Sequence, residues 1–128
     1  MSKHDDNRGM MCVGEVGKQI PFEIKRIFYD YNNISSLEHR GGHANINSRF
    51  VFICVSGCCT IVVDDGFERK EFVLNDPSSA LFVNNMVWKE MYDFSADSVL
   101  LVLSDCFYNP DEYIKDFNDY LKNRRIDN

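Results

Sequence analysis

The segment Phe50–Val55 is an unbroken apolar run, rich in β-branched and aromatic residues, that ends at the turn pair Ser56-Gly57. Such a run predicts a strand that is buried on both faces. The preceding segment, Arg40–Arg49, is mostly polar. If the strand already begins near residue 43, its two-residue period places four polar residues on one face: His43, Asn45, Asn47 and Arg49. We therefore expect the functional site where this polar stripe enters the core.

Short strand-like segments separated by turn residues fill most of the remaining chain. The pair Asp65-Gly66 tolerates the positive φ of a hairpin turn, and Ser56-Gly57 predicts a second tight reversal that pairs the following strand with the buried one. About eight strands at this spacing predict an all-β fold, a sandwich or barrel such as a jelly roll.

Arg26 stands in an alternating segment that begins at Ile20 and predicts a strand with one face on the core. It shares a face with Phe22 and Phe28, whereas Tyr29 lies on the opposite face. A charge in an apolar row either reaches the rim or a carboxylate partner, or it serves a function. The sequence leaves both interpretations open.

The C-terminal segment changes from a strand pattern to a helix pattern. Asn109 suits an N-cap and Pro110 suits the first helical position, so a helix is predicted from about residue 109 to Asn123. Residues 1–8 are polar and are predicted to be a mobile N-terminus, and residues 32–40 are predicted to form a polar loop. The whole chain, residues 1–128, is predicted to be one domain.

The composition excludes several classes of function. The formal net charge of -6 argues against general binding to nucleic acid, and no apolar run approaches the roughly 20 residues that a membrane span needs. The N-terminus carries no apolar signal segment, so we expect a cytoplasmic protein. The five cysteines show no repeated CxxC pattern, which favours small buried side chains over a disulfide framework or a zinc site.

Five segments in this order resemble the WxcM-like cupins, which are nucleotide-sugar 3,4-ketoisomerases. The segments are Ile20–Arg26, Arg40–Ala44, Asp64–Gly66, Val87–Phe94 and Asp111–Asp116. The resemblance implies a small cupin jelly roll that forms a homodimer by exchanging strands. It also implies a substrate such as dTDP-4-keto-6-deoxyglucose, whose keto group moves from C4 to C3 on the way to 3-amino-3,6-dideoxy sugars of surface glycans.

The departures from the family pattern concern the polar stripe. Asn45 replaces the second histidine of the usual Arg-Gly-x-His-Ala-His motif, and Lys89 stands where a histidine often follows the tryptophan. Arg49 occupies the place near which a metal-binding cupin has a glutamate. Zinc or iron needs three or four imidazole or carboxylate ligands, and only His43 remains. We therefore expect no metal and no other cofactor.

The implied reaction assigns roles to the candidate residues. It needs a base that removes the C3 proton, and His43 is the histidine placed in the candidate site, which makes it the predicted base. Tyr29 is the candidate proton donor, although its parity opposes that of Arg26. Asn45 has no titratable proton near neutral pH and can only orient its neighbours by hydrogen bonds.

Three arginines and one tryptophan are the candidate substrate-binding residues for the diphosphate and the thymine. Guanidinium groups grip phosphate oxygens in pairs, and the candidates are Arg26, Arg40 and Arg49. Trp88 either offers a face to the base or sugar, or packs in the core.

Two other functions fit the same resemblance. One is a sugar-binding cupin without catalysis, and the other is a nucleotide-sugar 3,5-epimerase, which shares the fold and the proton abstraction. For the isomerase, the pair Arg8-Gly9 resembles the family version that is associated with a galacto product.

Overall fold

The computed structural model describes residues 1–33 and 39–126. In chain order the strands are β1 (Ser2–Asp6), β2 (Gly9–Val13), β3 (Arg26–Asp30), β4 (Arg40–Asn45), β5 (Phe50–Ser56), β6 (Cys59–Asp64), β7 (Arg69–Leu74), β8 (Leu81–Val83), β9 (Trp88–Tyr92), β10 (Val99–Ser104) and β11 (Tyr113–Ile114). A 3₁₀ turn spans Pro110–Glu112, and helix α1 spans Phe117–Ile126. The predicted loop over residues 32–40 lies mostly outside the described residues.

Two antiparallel sheets pack face to face. One has the strand order β3-β10-β5-β8, the other has the order β11-β4-β9-β6-β7, and the hairpin β1-β2 stands apart from both. From β3 to β11, consecutive strands alternate between the two sheets, except for the hairpin partners β6 and β7, as in a jelly roll. The predicted all-β fold with a C-terminal helix is confirmed. The described part of the chain has no helix long and apolar enough to cross a membrane.

The core between the sheets is built around β5, as its apolar sequence predicted. Phe50, Phe52 and Cys54 point inward and are at most 1% exposed. They pack against side chains from both sheets, and the cluster has eleven buried members: Phe50, Phe52, Cys54, Cys59, Ile61, Leu74, Val83, Met91, Phe94, Leu100 and Val102.

The opposite face of the four-stranded sheet is covered by the segment that precedes β3. Ile20 and Phe22 pack on Val51, Ile53 and Leu103. The sequence analysis placed this segment in one strand with Phe28 and was wrong, because the chain becomes a strand only at Arg26. As a result, Ile20 and Phe22 cover the outer face, while Phe28 packs on the core between the sheets.

The two predicted turns differ in outcome. Asp64-Asp65-Gly66 joins β6 to β7 as a hairpin, and Gly66 has a φ of +95°. Gly57 also has a positive φ of +68°, but β6 does not pair with β5, because the chain passes into the other sheet there. A Cβ atom on Gly57 would lie 2.2 Å from Ser95 Oγ, so this crossing has room only for glycine.

Both chain ends differ from the predictions. Residues 2–13 form the hairpin β1-β2, where a mobile segment was predicted, and the terminal ammonium of Met1 donates to the Ser78 carbonyl at 2.8 Å. At the other end, Asn109 caps only the short 3₁₀ turn. Residues Tyr113 and Ile114 then pair with β4, so the helix starts at Phe117.

Candidate active site

A bulge in β4 sets the position of His43. The ladder between β4 and β9 shifts register between Gly41 and His43, and His43 then lies opposite Lys89. Gly41 and Gly42 have φ values of +79° and +74°. A Cβ atom on Gly41 would lie 2.9 Å from the Lys89 carbonyl oxygen, so the two glycines make the bulge possible. Bulges of this kind redirect side chains next to functional sites.

The polar stripe is interrupted after Asn45, where β4 ends and the chain crosses to the other sheet. The carboxylate of Glu112 accepts the backbone N–H groups of Asn47 and Ser48 at 3.1 and 2.8 Å, and the Ser48 hydroxyl at 2.6 Å. These hydrogen bonds satisfy backbone N–H groups at the corner that would pair with a neighbouring strand if β4 continued. The prediction that Arg49 shares the face of His43 is therefore wrong.

Asn45 and Lys89 form a buried pair beneath His43. Asn45 is 0% exposed and Lys89 is 2% exposed. The ammonium nitrogen of Lys89 donates to Asn45 Oδ1 at 2.7 Å and lies 4.5 Å from the centre of the Phe50 ring. A lysine this deep in a small protein is unusual, because a buried charge needs a partner.

Arg26 also points into this end of the core. Its guanidinium carbon lies 5.4 Å from the Phe28 ring centre, 6.0 Å from that of Phe50 and 5.6 Å from that of Tyr108. Its Nε and Nη2 atoms, and Nδ2 of Asn45, are buried and have no hydrogen-bond partner among the described residues. Buried donors of this kind are usually paired, so those of Arg26 mark this end of the core as a candidate binding site.

A cleft of about 390 Å³ opens at this end of the sandwich. Its lining residues are Gly41, Gly42, His43, Tyr108, Pro110, Tyr113 and Lys115. The His43 and Tyr113 rings are 4.7 Å apart, and Tyr113 is 5.8 Å from Tyr108. A second cleft, of about 550 Å³, lies on the outer face of the four-stranded sheet and is lined mostly by apolar residues. Only the first cleft contains the half-buried imidazole.

The pKa values in the cleft favour neutral bases. Burial, reinforced by the charge of Lys89, lowers the pKa of His43 to about 4, although a hydrogen bond with the Gly41 backbone opposes this. Burial also lowers the pKa of Lys89 to about 7; Glu112 acts to raise it and Arg26 to lower it further. Burial acts to raise the pKa of Glu112, but the hydrogen bonds from Ser48 outweigh it. At pH 7, His43 is neutral and Lys89 populates both forms.

The structure brings His43, Asn45 and Arg26 together, but it does not bring Tyr29, Trp88 or Arg49 to them. Tyr29 is 58% exposed on the outer face of β3, where its ring lies 5.9 Å from that of Tyr31. Tyr29 and Arg26 lie on opposite faces of β3, as predicted, since the strand has no bulge between them.

Trp88 lies on the outer face of β9, beneath helix α1. Its ring is 5.2 Å from that of Phe117 and 5.8 Å from that of Tyr120. Its Nε1 donates to Glu90 at 3.2 Å, and 5% of the residue is exposed. Trp88 therefore packs against the helix, and its predicted contact with substrate is not supported by this geometry.

The other two arginines are held by carboxylates. Arg49 Nε donates to Asp105 Oδ2 at 2.6 Å, and its guanidinium lies 5.5 Å from the Phe22 ring on the outer face. Arg40 pairs with Asp30 at 3.3 Å and is exposed next to the cleft residue Gly41. Of the three predicted arginines, only Arg26 reaches the interior.

Sequence reasoning missed Lys89, Tyr113 and the corner residue Glu112. The signal for Lys89 was present, because the two-residue period of β9 places it on the face opposite Trp88. Once Trp88 is assigned to the helix, Lys89 must point inward. Tyr113 was missed because its segment was predicted to be helical. Among the described residues, no group of three His, Cys, Asp or Glu side chains is placed to hold a metal ion.

Fold and cleft together define a class: a small cupin-type jelly roll whose mouth holds an imidazole and buried, unpaired hydrogen-bond donors. The chain belongs to the family described as "FdtA: WxcM-like, C-terminal", whose model matches residues 1–125. The family predicted from the sequence is thereby confirmed.

The relatives agree with this assignment. A TDP-4-oxo-6-deoxy-alpha-D-glucose-3,4-oxoisomerase of Aneurinibacillus thermoaerophilus is 38% identical over 117 residues, which are 91% of this chain and 84% of the relative. A 3,4-ketoisomerase from Helicobacter canadensis superimposes with a TM-score of 0.92 at 41% identity, over 97% of this chain and 92% of that one. The sugar 3,4-ketoisomerase QdtA from Thermoanaerobacterium thermosaccharolyticum, in complex with TDP, gives 0.93 at 32% identity, over 98% and 91%.

Proposed function

We propose that this protein is a sugar 3,4-ketoisomerase that moves the keto group of a dTDP-linked 4-keto-6-deoxy sugar from C4 to C3. The observation that carries the proposal is the half-buried, neutral imidazole of His43, set in a cleft above buried donors that lack protein partners. The names of the relatives, which are isomerases of TDP-linked sugars, support the substrate class.

His43 is the base of the proposed reaction. Isomerisation removes the proton from C3, passes through an enediol, and returns a proton to C4. A base must be neutral to accept the proton, and burial beside Lys89 keeps the pKa of His43 low enough for that at pH 7. The imidazolium formed in the first step then protonates C4 in the second.

The unpaired donors of Arg26 and Asn45 bind the oxygens of the reacting sugar. Charge develops on the C4 oxygen when the C3 proton leaves, and preorganised donors in a site without water stabilise such charge strongly. Arg26 Nε and Nη2 have no acceptor among the described residues to compete with the sugar, whereas the side chain of Asn45 also interacts with the carboxylate of Glu112. The Arg26 donors are therefore available to an enediolate.

The nucleotide occupies the mouth of the cleft. Lys115 lines the cleft and is exposed there, so it meets the diphosphate together with Arg40 beside Gly41. Tyr108 is 65% exposed and presents a ring to the thymine in the role that was predicted for Trp88.

Incubation with dTDP-4-keto-6-deoxyglucose in deuterated water tests the proposal. We expect a 3-keto product that carries deuterium at C4, because the imidazolium formed in the first step exchanges its proton with the deuterated solvent before it protonates C4. A sugar-binding protein without catalysis exchanges no proton, and a 3,5-epimerase labels C3 and C5 instead. Either of those outcomes overturns the proposal. Activity without added metal is also expected, and loss of turnover on chelation that zinc or iron restores contradicts that expectation.

For the product we propose the galacto configuration at C4. The proposal rests on the pair Arg8-Gly9, which resembles the family version associated with that product. In the structure Arg8 lies in the exposed turn of the β1-β2 hairpin, and Gly9 is the first residue of β2. Proton NMR coupling constants between H4 and H5 of the product decide between the galacto and gluco configurations.

We also propose that the protein is a cytoplasmic homodimer that exchanges strands. Exposed apolar side chains surround the outer face of the four-stranded sheet and the hairpin beside it, and a partner subunit would cover them: Met10, Met11, Ile27, Tyr29 and Val55. All five cysteines are free, as is usual in a reducing compartment. Sedimentation at micromolar concentration is expected to give a dimer, and a monomer contradicts this.

A further inference from the structure

Lys89 is the deepest ionisable side chain at the cleft, and the reaction as described so far gives it no role. It is 2% exposed, and its ammonium nitrogen contacts the Phe50 ring on one side and Asn45 Oδ1 on the other. The bond to Asn45 uses one of the three N–H groups of an ammonium. The nearby carboxylate of Glu112 is occupied by Ser48 and Asn47 and acts on Lys89 through space.

The position of Lys89 relative to His43 is fixed by the strands. The two residues face each other across β4 and β9, and the bulge at Gly41 sets this register. Side chains directly opposite each other on one face of an antiparallel pair start about 5 Å apart. The amine of Lys89 therefore lies on the same face of the sheet as the imidazole, and its charge acts on His43.

The reaction needs a second proton carrier. Besides the proton that is removed from C3 and the proton that is returned to C4, one proton must be added to the C4 oxygen and another removed from the C3 hydroxyl. His43 is protonated during this time and must still protonate C4, so it cannot do both. Asn45 has no titratable proton, whereas the family's usual motif has a histidine at that position.

Resting on the proposed function, we propose that Lys89 is a second catalytic residue that carries the oxygen-bound proton from O3 to O4, in place of the histidine that this chain lacks at residue 45. In the first half, His43 takes the proton from C3, the C3–H electrons form the C3=C4 bond, and the ammonium of Lys89 protonates the C4 oxygen. In the second half, the amine takes the C3 hydroxyl proton, C3=O forms, and the imidazolium protonates C4. Both residues return to their starting states.

The pKa of Lys89 suits this role. A group that must give and retake a proton works best when its pKa is near the operating pH, and burial brings the pKa of Lys89 to about 7. A lysine with an unperturbed pKa stays protonated near pH 7, so it could not readily give up its proton and take it back in each cycle.

The experiment compares three variants, two with single substitutions at residue 89 and one double variant, with a control in the isomerase assay with dTDP-4-keto-6-deoxyglucose. Lys89→Met keeps the length of the side chain but has no proton, and its kcat is expected to fall by about 10²-fold or more with KM within about threefold. Lys89→Arg keeps the charge, but its proton is not released near pH 7, so it is expected to fall similarly. Lys89→Met/Asn45→His restores a titratable group, and its kcat is expected to be at least about tenfold higher than that of Lys89→Met. The control, Lys122→Met, removes an exposed lysine of α1 and is expected to match the wild type.

The pH profile adds a readout that a merely structural role would not move. The wild-type rate is expected to fall as the pH rises above about 7, because Lys89 must be protonated to donate, and this limb is expected to disappear in Lys89→Met. Near-normal turnover in Lys89→Arg, or a loss in Lys89→Met that Asn45→His does not relieve, overturns the inference while leaving the proposed function in place. Failure of the wild type to form the 3-keto product overturns the proposed function itself. Thermal unfolding at pH 7 verifies that each variant is folded.

Discussion

The two faces of strands β4 and β9 are formed by neighbouring residues of the sequence, yet they differ in how their polar groups are satisfied. On the outer face, Ala44 and Trp88 pack against Tyr120 of helix α1. The Tyr120 hydroxyl lies 2.9 and 2.8 Å from two backbone carbonyl oxygens, and Trp88 Nε1 has a carboxylate acceptor. On the outer face, the buried donors of Trp88 and Tyr120 therefore have acceptors within the protein.

On the inner face, one residue further along each strand, Asn45 and Lys89 are as deeply buried as the outer residues. There, donors of Asn45 and of Arg26 have no partner among the described residues. A buried hydrogen-bond donor that lacks an acceptor destabilises the ligand-free protein. The two faces are equally deep, so burial alone does not distinguish them. The unused hydrogen-bond donors are what single out the inner face as the candidate site.

The largest effect on stability is expected on the outer face. Trp88→Ala removes a buried ring between Phe117 and Tyr120, and such truncations reduce the free energy of unfolding by about 3–5 kcal/mol. The KM for the nucleotide sugar is expected to change less than about twofold, since the ring does not line the cleft. Urea unfolding and steady-state kinetics give both numbers. A large rise in KM with little loss of stability would return Trp88 to the binding site.

That prediction also shows where sequence reasoning succeeded and failed. The buried run of β5 and the Asp65-Gly66 hairpin follow from local residue patterns, and the sequence predicted both. It also placed Arg26 on the same face as Phe28 but left open whether the guanidinium reaches the rim or serves a function. The crossing after Asn45 depends on Glu112, which is 64 residues from Ser48 and reaches the corner only in the folded chain. No local pattern near Arg49 contains that information.

The C-terminal segment gives a second example. Asn109 and Pro110 form a valid helix start, but the next residues, Tyr113 and Ile114, pair with β4 and delay the helix. This pairing brings the Tyr113 ring to within 4.7 Å of the His43 ring, so it places in the cleft an aromatic residue that was predicted to be helical. Tertiary pairing outweighed local propensity there.

A smaller effect is expected from the pH dependence of stability on the inner face. The folded-state pKa of Lys89 is about 7, well below its unfolded value, so between these two values the unfolded chain binds one more proton. The free energy of unfolding therefore gains up to about 1.4 kcal/mol per pH unit from this group as the pH rises above 7. Lys89→Met is expected to lose this gain.

Urea titrations of wild type and Lys89→Met at pH 7, 8 and 9 measure the difference, and the other titrating groups are common to both proteins. If the free energy of unfolding changes with pH equally in both proteins, Lys89 keeps an ordinary pKa in the folded state. Its charged and neutral forms are then not both populated near neutral pH.

The smallest effects are expected at the predicted residues that lie outside the cleft. Arg49→Gln removes a partly exposed ion pair with Asp105, which is worth at most about 1 kcal/mol. Tyr29→Phe removes an exposed hydroxyl. Both variants are expected to keep kcat and KM within about twofold of the wild type. A tenfold loss of kcat in either variant, measured with the subunits assembled as in the wild type, would mean that the active cleft includes residues from the outer face.

The most direct test of the account is the turnover of His43→Asn beside that of His39→Asn, which changes an exposed histidine stacked on Tyr92. If the inner face carries the chemistry, His43→Asn loses about 10²–10⁴-fold in kcat and incorporates deuterium at C4 correspondingly slowly, while its melting temperature is unchanged or higher. His39→Asn matches the wild type in all three measurements. Near-normal turnover and C4 labelling in His43→Asn would contradict the account, because the base would then lie elsewhere in the molecule.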